Sequence, residues 1–454
     1  MESFKEHNDM NTDRKLIVKT LDNGFKYFTY YNDSQKNMIR ISLVVKVGSL
    51  MENDNEIGIA HFIEHMCIYN NYRFLYEQQS NNNVRNSLLI GYTNFYETVY
   101  SINCKSEELN NYLPVFKNIL SGDNILKSNI NHIKHEIIDE ISRETCTANY
   151  KLKEIILPEI VNKKNFKNKL PLGNLESIKN ISYESIMKFH SNWYKTQNSA
   201  LFIVGQTEEC NVKDLIENYF SRIQKSSENF RIPIAIEKSL HRKILINTIK
   251  NLEYNEIQFY YLKSSLYSNE IKYDLETKIL EYFCLTLIER DICTMFSKNK
   301  LDFSKIEFVS RRLMYNFNFN ILQLDTDRNF YKKIKYIIQV IKKLSNFGFT
   351  KQEFDRYREL FLLELTEYYN RAKLTINNKD LTKECIDNYL YDEPIIPLNR
   401  EYSTCLSIIS TISFEEINMK INKILSSNNV LISINCKESL DINKKDLYNL
   451  LQVP

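Results

Sequence analysis

Glycine and proline are scarce in this chain of 454 residues, with 8 and 7 copies, and tryptophan occurs once. The scarcity accompanies an abundance of Lys, Asn, Ile and Tyr and reads as compositional bias, from which no function follows. Long apolar runs are absent too. None approaches the roughly 18 residues of a membrane span, so no span is expected. Neither sign of charge dominates: 60 basic and 57 acidic residues leave a net charge of +3, which gives no case for nucleic acid or a membrane surface as partner. The nine cysteines are odd in number and contain no Cys-x-x-Cys pair, which excludes a thiolate zinc site and fits reduced thiols of an intracellular protein. The first 14 residues lack the apolar core of a secretory signal, and Glu2, Glu6, Asp9 and Asp13 argue against a mitochondrial presequence. A cytoplasmic location is the expectation. What remains, 43% hydrophobic and 26% charged residues, is ordinary for a globular protein. The length suits roughly two to four domains.

One stretch stands out, Gly58-Ile59-Ala60-His61-Phe62-Ile63-Glu64-His65-Met66, a His-x-x-Glu-His sequence in an apolar helical run. On a helix, His61, Glu64 and His65 project from one face. A lone histidine on such a face is usually an ordinary core residue. Two imidazoles at this spacing make half a zinc site, and a carboxylate that is not a ligand can take a proton from the metal-bound water. The order inverts His-Glu-x-x-His.

Upstream, Leu16 to Leu21 and Phe25 to Tyr31 flank Asp22-Asn23-Gly24 and read as a hairpin. Met38 to Val47 alternates Ile39, Ile41, Leu43, Val45 and Val47, which predicts a strand with one buried face. Residues 70 to 86, rich in Asn, Gln and Tyr, read as an irregular insertion after the histidine helix. The run from Leu89 to Tyr100, continuing to Cys104, has high strand propensity and is either an ordinary strand or an edge that pairs with an extended peptide. From Ile130 to Glu144, Ile133, Ile137, Ile138 and Ile141 form an apolar helical stripe beside carboxylates. Glu136, Glu140 and Glu144 are the acids available there as a third ligand, and the residues alone do not choose among them.

Pro171-Leu172-Gly173-Asn174 is a turn, Ser182 caps a helix running to about Tyr194, and Asn198 to Gly205 is a strand. Residues 224 to 240 are the best linker. Beyond it, Ile412-Ser413-Phe414-Glu415 and the run from Asn429 to Ile434 repeat Ile181-Ser182-Tyr183-Glu184 and the run from Asn198 at one constant offset. The stretch from Gln352 to Leu365 repeats the helix of Glu140, with Glu364 in its place. The chain is an internal duplication. Its second copy has no His-x-x-Glu-His, and seven of the eight glycines lie in the first.

Gly48-Ser49, the block from Gly58 to Met66, Tyr92-Thr93 with Thr98-Val99-Tyr100, Pro171-Leu172-Gly173 and the run from Tyr194 to Gly205 resemble, in order and spacing, the pitrilysin/insulinase family of inverted zincins. The resemblance is to its half-length type, such as mitochondrial processing peptidase and small bacterial peptidases. It implies an α+β fold of two homologous domains, each a mixed sheet flanked by helices, together one half of a clamshell. Residues 15–225 would be the zinc-binding catalytic domain and 240–454 a degenerate copy. It further implies one Zn2+ per chain held by His61, His65 and Glu140, with Glu64 as catalytic base. Glu140 fits because Ile137-Ile138-Asp139 precede it at the family's distance; Ile133 stands where the family usually has another Glu. A peptide substrate would lie along Gly91, Tyr92, Thr93 and Asn94, although Ile90-Gly91 replaces the family's Asn-Ala. A dimer is implied. Relatives often donate an Arg and a Tyr seven residues on from the second copy; Arg290 is followed by Phe296 and Ser297, and Arg311, Arg312 and Tyr315 are wrongly spaced, which points to a distinct homologous partner subunit. The activity expected is that of a zinc endopeptidase on short or unfolded peptides, removing a leader or degrading peptides generally. The rival expectation is a non-catalytic presenting subunit.

Overall fold

The computed structural model describes residues 16–79, 88–161, 164–207, 212–225, 243–263, 275–314, 317–326, 329–426, 429–439 and 449. The N-terminal stretch, Cys210 and the linker from residue 226 on lie outside these residues. The chain forms two compact units, the first of Met1–Glu144, Asn168–Ala235 and Ala372–Pro397, the second of Thr145–Lys167, Ile236–Arg371 and Leu398–Pro454.

Unit 1 is built on strands β1 (Leu16–Thr20), β2 (Lys26–Tyr31), β3 (Met38–Val45), β4 (Ile90–Thr93), β5 (Thr98–Lys105) and β6 (Ser199–Gly205), in the order β1-β2-β6-β3-β5-β4. The hairpin at Asp22-Asn23-Gly24 forms as expected, with Leu16 opposite Tyr30 and Gly24 at a φ of +85. β3 has both faces buried, not one, because it is central and covered on each side. The run expected as one strand from Leu89 is two, β4 and β5, folded back through a turn in which Asn94 N–H donates to the Glu97 carbonyl at 2.8 Å. β4 is left at the sheet edge.

The helices follow in chain order: α1 (Ile59–Gln79), α2 (Leu109–Ser121), α3 (Ile130–Glu144), α4 (Ala148–Val161), α5 (Leu175–Asn180), α6 (Tyr183–Trp193) and α7 (Val212–Phe220). The Asn-rich stretch expected to be irregular therefore continues α1 as far as Gln79; the residues after it, 80–87, lie outside the described set. Alternation along the strands puts Gly91, Tyr100 and Leu43 on the face that carries α1, and Ile90, Ser101, Ser42 and Phe202 on the other.

Unit 2 repeats this plan. Strands β7 (Lys243–Thr248), β8 (Asn255–Leu262), β9 (Lys305–Met314), β10 (Phe317–Thr326) and β11 (Val430–Cys436) lie in the order β7-β11-β8-β10-β9, matching β2-β6-β3-β5-β4 one for one. The β2–β6 and β7–β11 pairs are parallel and all the other pairs of both sheets are antiparallel. Helices α8 (Leu275–Lys298), α9 (Phe330–Phe347), α10 (Lys351–Thr375), α11 (Asn378–Tyr391), α12 (Leu398–Thr411) and α13 (Phe414–Leu425) complete the chain. Ser182 and Ser413 cap α6 and α13 through equivalent capping boxes, at the offset that relates β6 to β11.

The units depart from continuous domains at 15–225 and 240–454. α11 belongs to unit 1, where Tyr389 sits 6.3 Å and 5.9 Å from the rings of Phe28 and Phe202, covering the face away from α1. Its counterpart α4 belongs to unit 2, where Glu159 pairs with Lys243 on β7. The eight described cysteines are free thiols, and no helix among the described residues is long and apolar enough to cross a membrane.

Gly58 precedes α1 at a φ of +89 and lies back to back with Gly173 at +77. A Cβ on Gly58 would stand 2.8 Å from the Gly173 Cα, so neither position has room for a side chain. Gly58→Ala combines a left-handed residue with a backbone clash and should cost about 1–3 kcal/mol. Calorimetry should show the unfolding transition of unit 1 lowered by several degrees; an unchanged midpoint would mean the 171–174 turn moves aside freely.

Candidate active site

α1 starts where Glu52 makes it start. The side chain is buried, and its Oε2 and Oε1 accept from the main-chain N–H groups of Gly58 and Ala60 at 2.8 and 3.0 Å. A carboxylate there also complements the positive end of the helix dipole. Burial pushes its pKa up to about 8, against the pull of those two bonds and of Lys169.

One turn in, His61 and His65 point the same way. Their Nε2 atoms are 3.0 Å apart, and Glu140 Oε2 on α3 lies 3.7 Å from the first and 3.3 Å from the second. Among the described residues these form the one group of three metal-ligating side chains whose donor atoms converge, all within 4.8 Å. Glu140 is thus the acid that joins the histidines. Glu136 instead lies 3.4 Å from His65 Nδ1, on the side of the ring away from the group, and Glu144 is exposed outside it.

Burial, and then the charge of His65, lower His61 to about 4. Burial also acts to lower His65, but the hydrogen bond to Glu140 and the charges of Glu64, Glu140 and Glu136 outweigh it and hold the ring above its ordinary value. The His65 hydrogen bond in turn holds Glu140 below the usual carboxylate range. A divalent cation entering the group would displace a proton and meet a neutral imidazole, a poised imidazole and a carboxylate.

The donor set fits zinc. Bonds of about 2.0–2.2 Å in a tetrahedron put donor atoms about 3.3 Å apart, and the three separations here bracket that value. Two imidazoles and one carboxylate, with no thiolate, is a set that catalytic zinc uses. His61 Nδ1 is buried without a partner at hydrogen-bonding geometry, and the Leu172 main chain is the backbone group that acts on this ring. That assigns the Pro171-Leu172-Gly173 turn a place beside a ligand, where metal-bound histidines usually have a carbonyl.

Glu64 stands apart from the three. Thr93 Oγ1 donates to its Oε2 at 2.7 Å, and burial pushes the carboxyl up to about 7. Gly91 faces the same carboxylate: a Cβ there would lie 2.8 Å from Oε1. Of the residues expected to bind peptide, Thr93 therefore holds Glu64 and Gly91 leaves room for it, Tyr92 is 48% exposed on the opposite face, and Asn94 closes the β4–β5 turn, its carbonyl taking the Ser49 N–H at 3.1 Å. Glu52, Leu172 and the role of Thr93 were not legible in sequence. Each acts through a main-chain group or a neighbour that only folding supplies.

This arrangement is that of an inverted zincin, and the chain belongs to the insulinase family. The profile of Insulinase (Peptidase family M16) matches residues 27–172, and that of Peptidase M16 inactive domain matches 180–361. The "Probable zinc protease PqqL" of Haemophilus influenzae is 23% identical over 92% of this chain and 46% of its own length. The Arabidopsis thaliana "Stromal processing peptidase, chloroplastic" is 21% identical over 90% of the chain and 37% of its length. The chain spans less than half the length of these curated relatives. Among solved structures, the periplasmic protease PqqL from Escherichia coli superposes with a TM-score of 0.84 at 19% identity, over 97% of this chain and 50% of that one. A predicted insulinase family protease from Yersinia pestis gives 0.77 at 16% identity, over 99% and 98%.

Elemental analysis of the purified protein should find zinc close to equimolar with the chain. Glu140→Gln should lose it, whereas Glu136→Gln should keep it. Loss on changing Glu136 alone would reassign the third ligand.

Proposed function

We propose that this chain is a zinc-dependent endopeptidase that cleaves extended segments of short or unfolded peptides. The observation that carries the reading is the separation of roles on one helix face. His61, His65 and Glu140 converge on one point, while Glu64 is held beside that point by Thr93 without joining them.

His61, His65 and Glu140 would hold zinc, which would supply Lewis acidity toward a peptide carbonyl and a water. Glu64 accepts the proton of the attacking water and returns it to the leaving amine. Its burial suits the task, because a carboxyl lifted to about 7 both takes and gives a proton near neutrality. Thr93 keeps one oxygen of Glu64 occupied, so the other is the one presented to the water. β4, at the sheet edge and one side chain away from Glu64, offers main-chain groups to which a substrate adds as a further strand. Recognition through backbone makes the enzyme tolerant of sequence and intolerant of folded substrates.

Leader removal from a peptide precursor is the role in which we place it, in the company of relatives that include processing peptidases. The Arg and Tyr that relatives donate from the second copy are not found at the family's spacing here, so we infer a dimer in which a distinct homologous subunit supplies them. The free thiols favour a cytoplasmic setting.

Glu64→Gln keeps size and hydrogen bonding but cannot take the proton. It should bind zinc normally and lose cleavage of an unstructured quenched peptide by on the order of 10³-fold. Retained activity would remove Glu64 from the mechanism, and a normal chain that binds zinc but cleaves no unstructured peptide would favour the presenting-subunit reading.

A further inference from the structure

α1 and α3 run antiparallel, and their contacts form a ladder. Starting at the metal group, His61 and His65 meet Glu140, His65 meets Glu136, and the Tyr69 ring lies 4.5 Å from the His132 ring. The last rung is of amides. Asn129, just before α3, donates from Nδ2 to Asn70 Oδ1 at 2.6 Å, and Asn70 donates from its own Nδ2 to the Asn124 carbonyl. Asn124 Nδ2 donates to Asn71 Oδ1 at 3.1 Å, and Asn71 Nδ2 donates to the Cys67 carbonyl, two residues past His65, at 2.8 Å. Asn70 is 7% exposed and Asn71 fully buried.

We propose that Asn70, Asn71, Asn124 and Asn129 are positioning residues that fix the register of α3 against α1 and so hold Glu140 at the zinc. The inference rests on the reading of His61, His65 and Glu140 as ligands. The apolar part of the seam does not specify register. Ile133, Ile137 and Ile141 are buried, and an apolar ridge tolerates sliding and tilting at small cost because its contacts lack direction. Amide hydrogen bonds have direction, and buried ones are costly to leave unmade. A shift of α3 along α1 would break the bond from Asn129 to the buried Asn70 and carry Glu140 away from His65 together. Metal sites need their donors placed within about 0.5 Å, which is a demand on helix register rather than on helix stability. The clamp joins the start of α3 to the middle of α1, where it controls register without touching the ligands.

The test compares Asn129→Ala, and separately Asn124→Ala, with Asn23→Ala in the full chain. Asn23 is also 8% exposed, but it donates to the Phe220 carbonyl at 2.7 Å and to carbonyls just after α7, not to α1 or α3. Zinc dissociation constants from chelator competition, thermal midpoints, and the visible spectrum of the cobalt-substituted protein would be measured on each. The clamp variants should bind zinc about tenfold more weakly, with an altered cobalt spectrum, while Asn23→Ala should lower the midpoint and leave both metal readouts unchanged. Clamp variants that bind zinc as the unmodified chain does, or a loss of affinity in Asn23→Ala that matches theirs, would overturn the inference. Absence of zinc from the unmodified chain would instead overturn the ligand reading on which it rests. Should Asn129→Ala not fold, Asn124→Ala removes only the bond to Asn71 and decides the question.

Discussion

Two imidazoles and a carboxylate must be kept aimed at one point inside unit 1, and most of what is unusual in that unit follows from this. Gathering titratable groups out of water is unfavourable unless each is paired. Here burial has already forced His61 down and the His65 hydrogen bond has held Glu140 down, so the group is set up to receive a cation. The helix presenting the histidines is fixed at its start by Glu52 and by the two glycines that let the 171–174 turn come close. The ring of His61, with its buried Nδ1, is steadied from that turn. Glu52 and the glycines act on the placement of α1 and not on the ligands themselves.

Unit 2 shows the same framework without that demand. Its sheet has the same order and the same pairing directions, and α10 follows α9 as α3 follows α2. Glu364, the counterpart of Glu140, meets the guanidinium of Arg290 on α8 where Glu140 meets imidazole on α1. A fixed positive charge stands there where unit 1 has a titratable imidazole. The fold is therefore compatible with both outcomes, and function resides in a handful of side chains laid on it. The exchange of α4 and α11 adds a constraint of its own. A chain cut near residue 230 would strip α11 from unit 1 and expose Phe28 and Phe202 on a sheet that needs both faces covered.

Local patterns made some of this legible. The histidine face needs only helical periodicity, the hairpin at Asn23-Gly24 needs only turn chemistry, and Ser182 and Ser413 announce equivalent helix starts in two copies. The failures share a different cause. The β4–β5 turn carries no glycine or proline; it forms because Gly48, elsewhere in the chain, has no Cβ to collide with the Asn94 carbonyl. The Asn-rich end of α1 looked irregular because asparagine competes with helical hydrogen bonding, yet its amides are committed to Asn124, Asn129 and Cys67. Glu136, Glu140 and Glu144 were indistinguishable because they repeat every four residues on one helix face, and only the position of α1 separates them. The exchanged helices leave no trace in local sequence at all.

β4 joins the two halves of the chemistry. Along it, side chains alternate, so Gly91 and Thr93 face α1 while Ile90 and Tyr92 face away. Thr93 is spent on Glu64, and the bare Gly91 leaves the space that the Glu64 carboxylate occupies. A substrate strand added at this edge would lie about 4.8 Å from the backbone that orients the base. The distance between scissile bond and base is then set by sheet geometry, which is the same for every peptide, and not by the side chains of any one of them. An enzyme working this way would obtain its alignment from the one feature all its substrates share, and its selectivity would come from what can reach the edge in extended form.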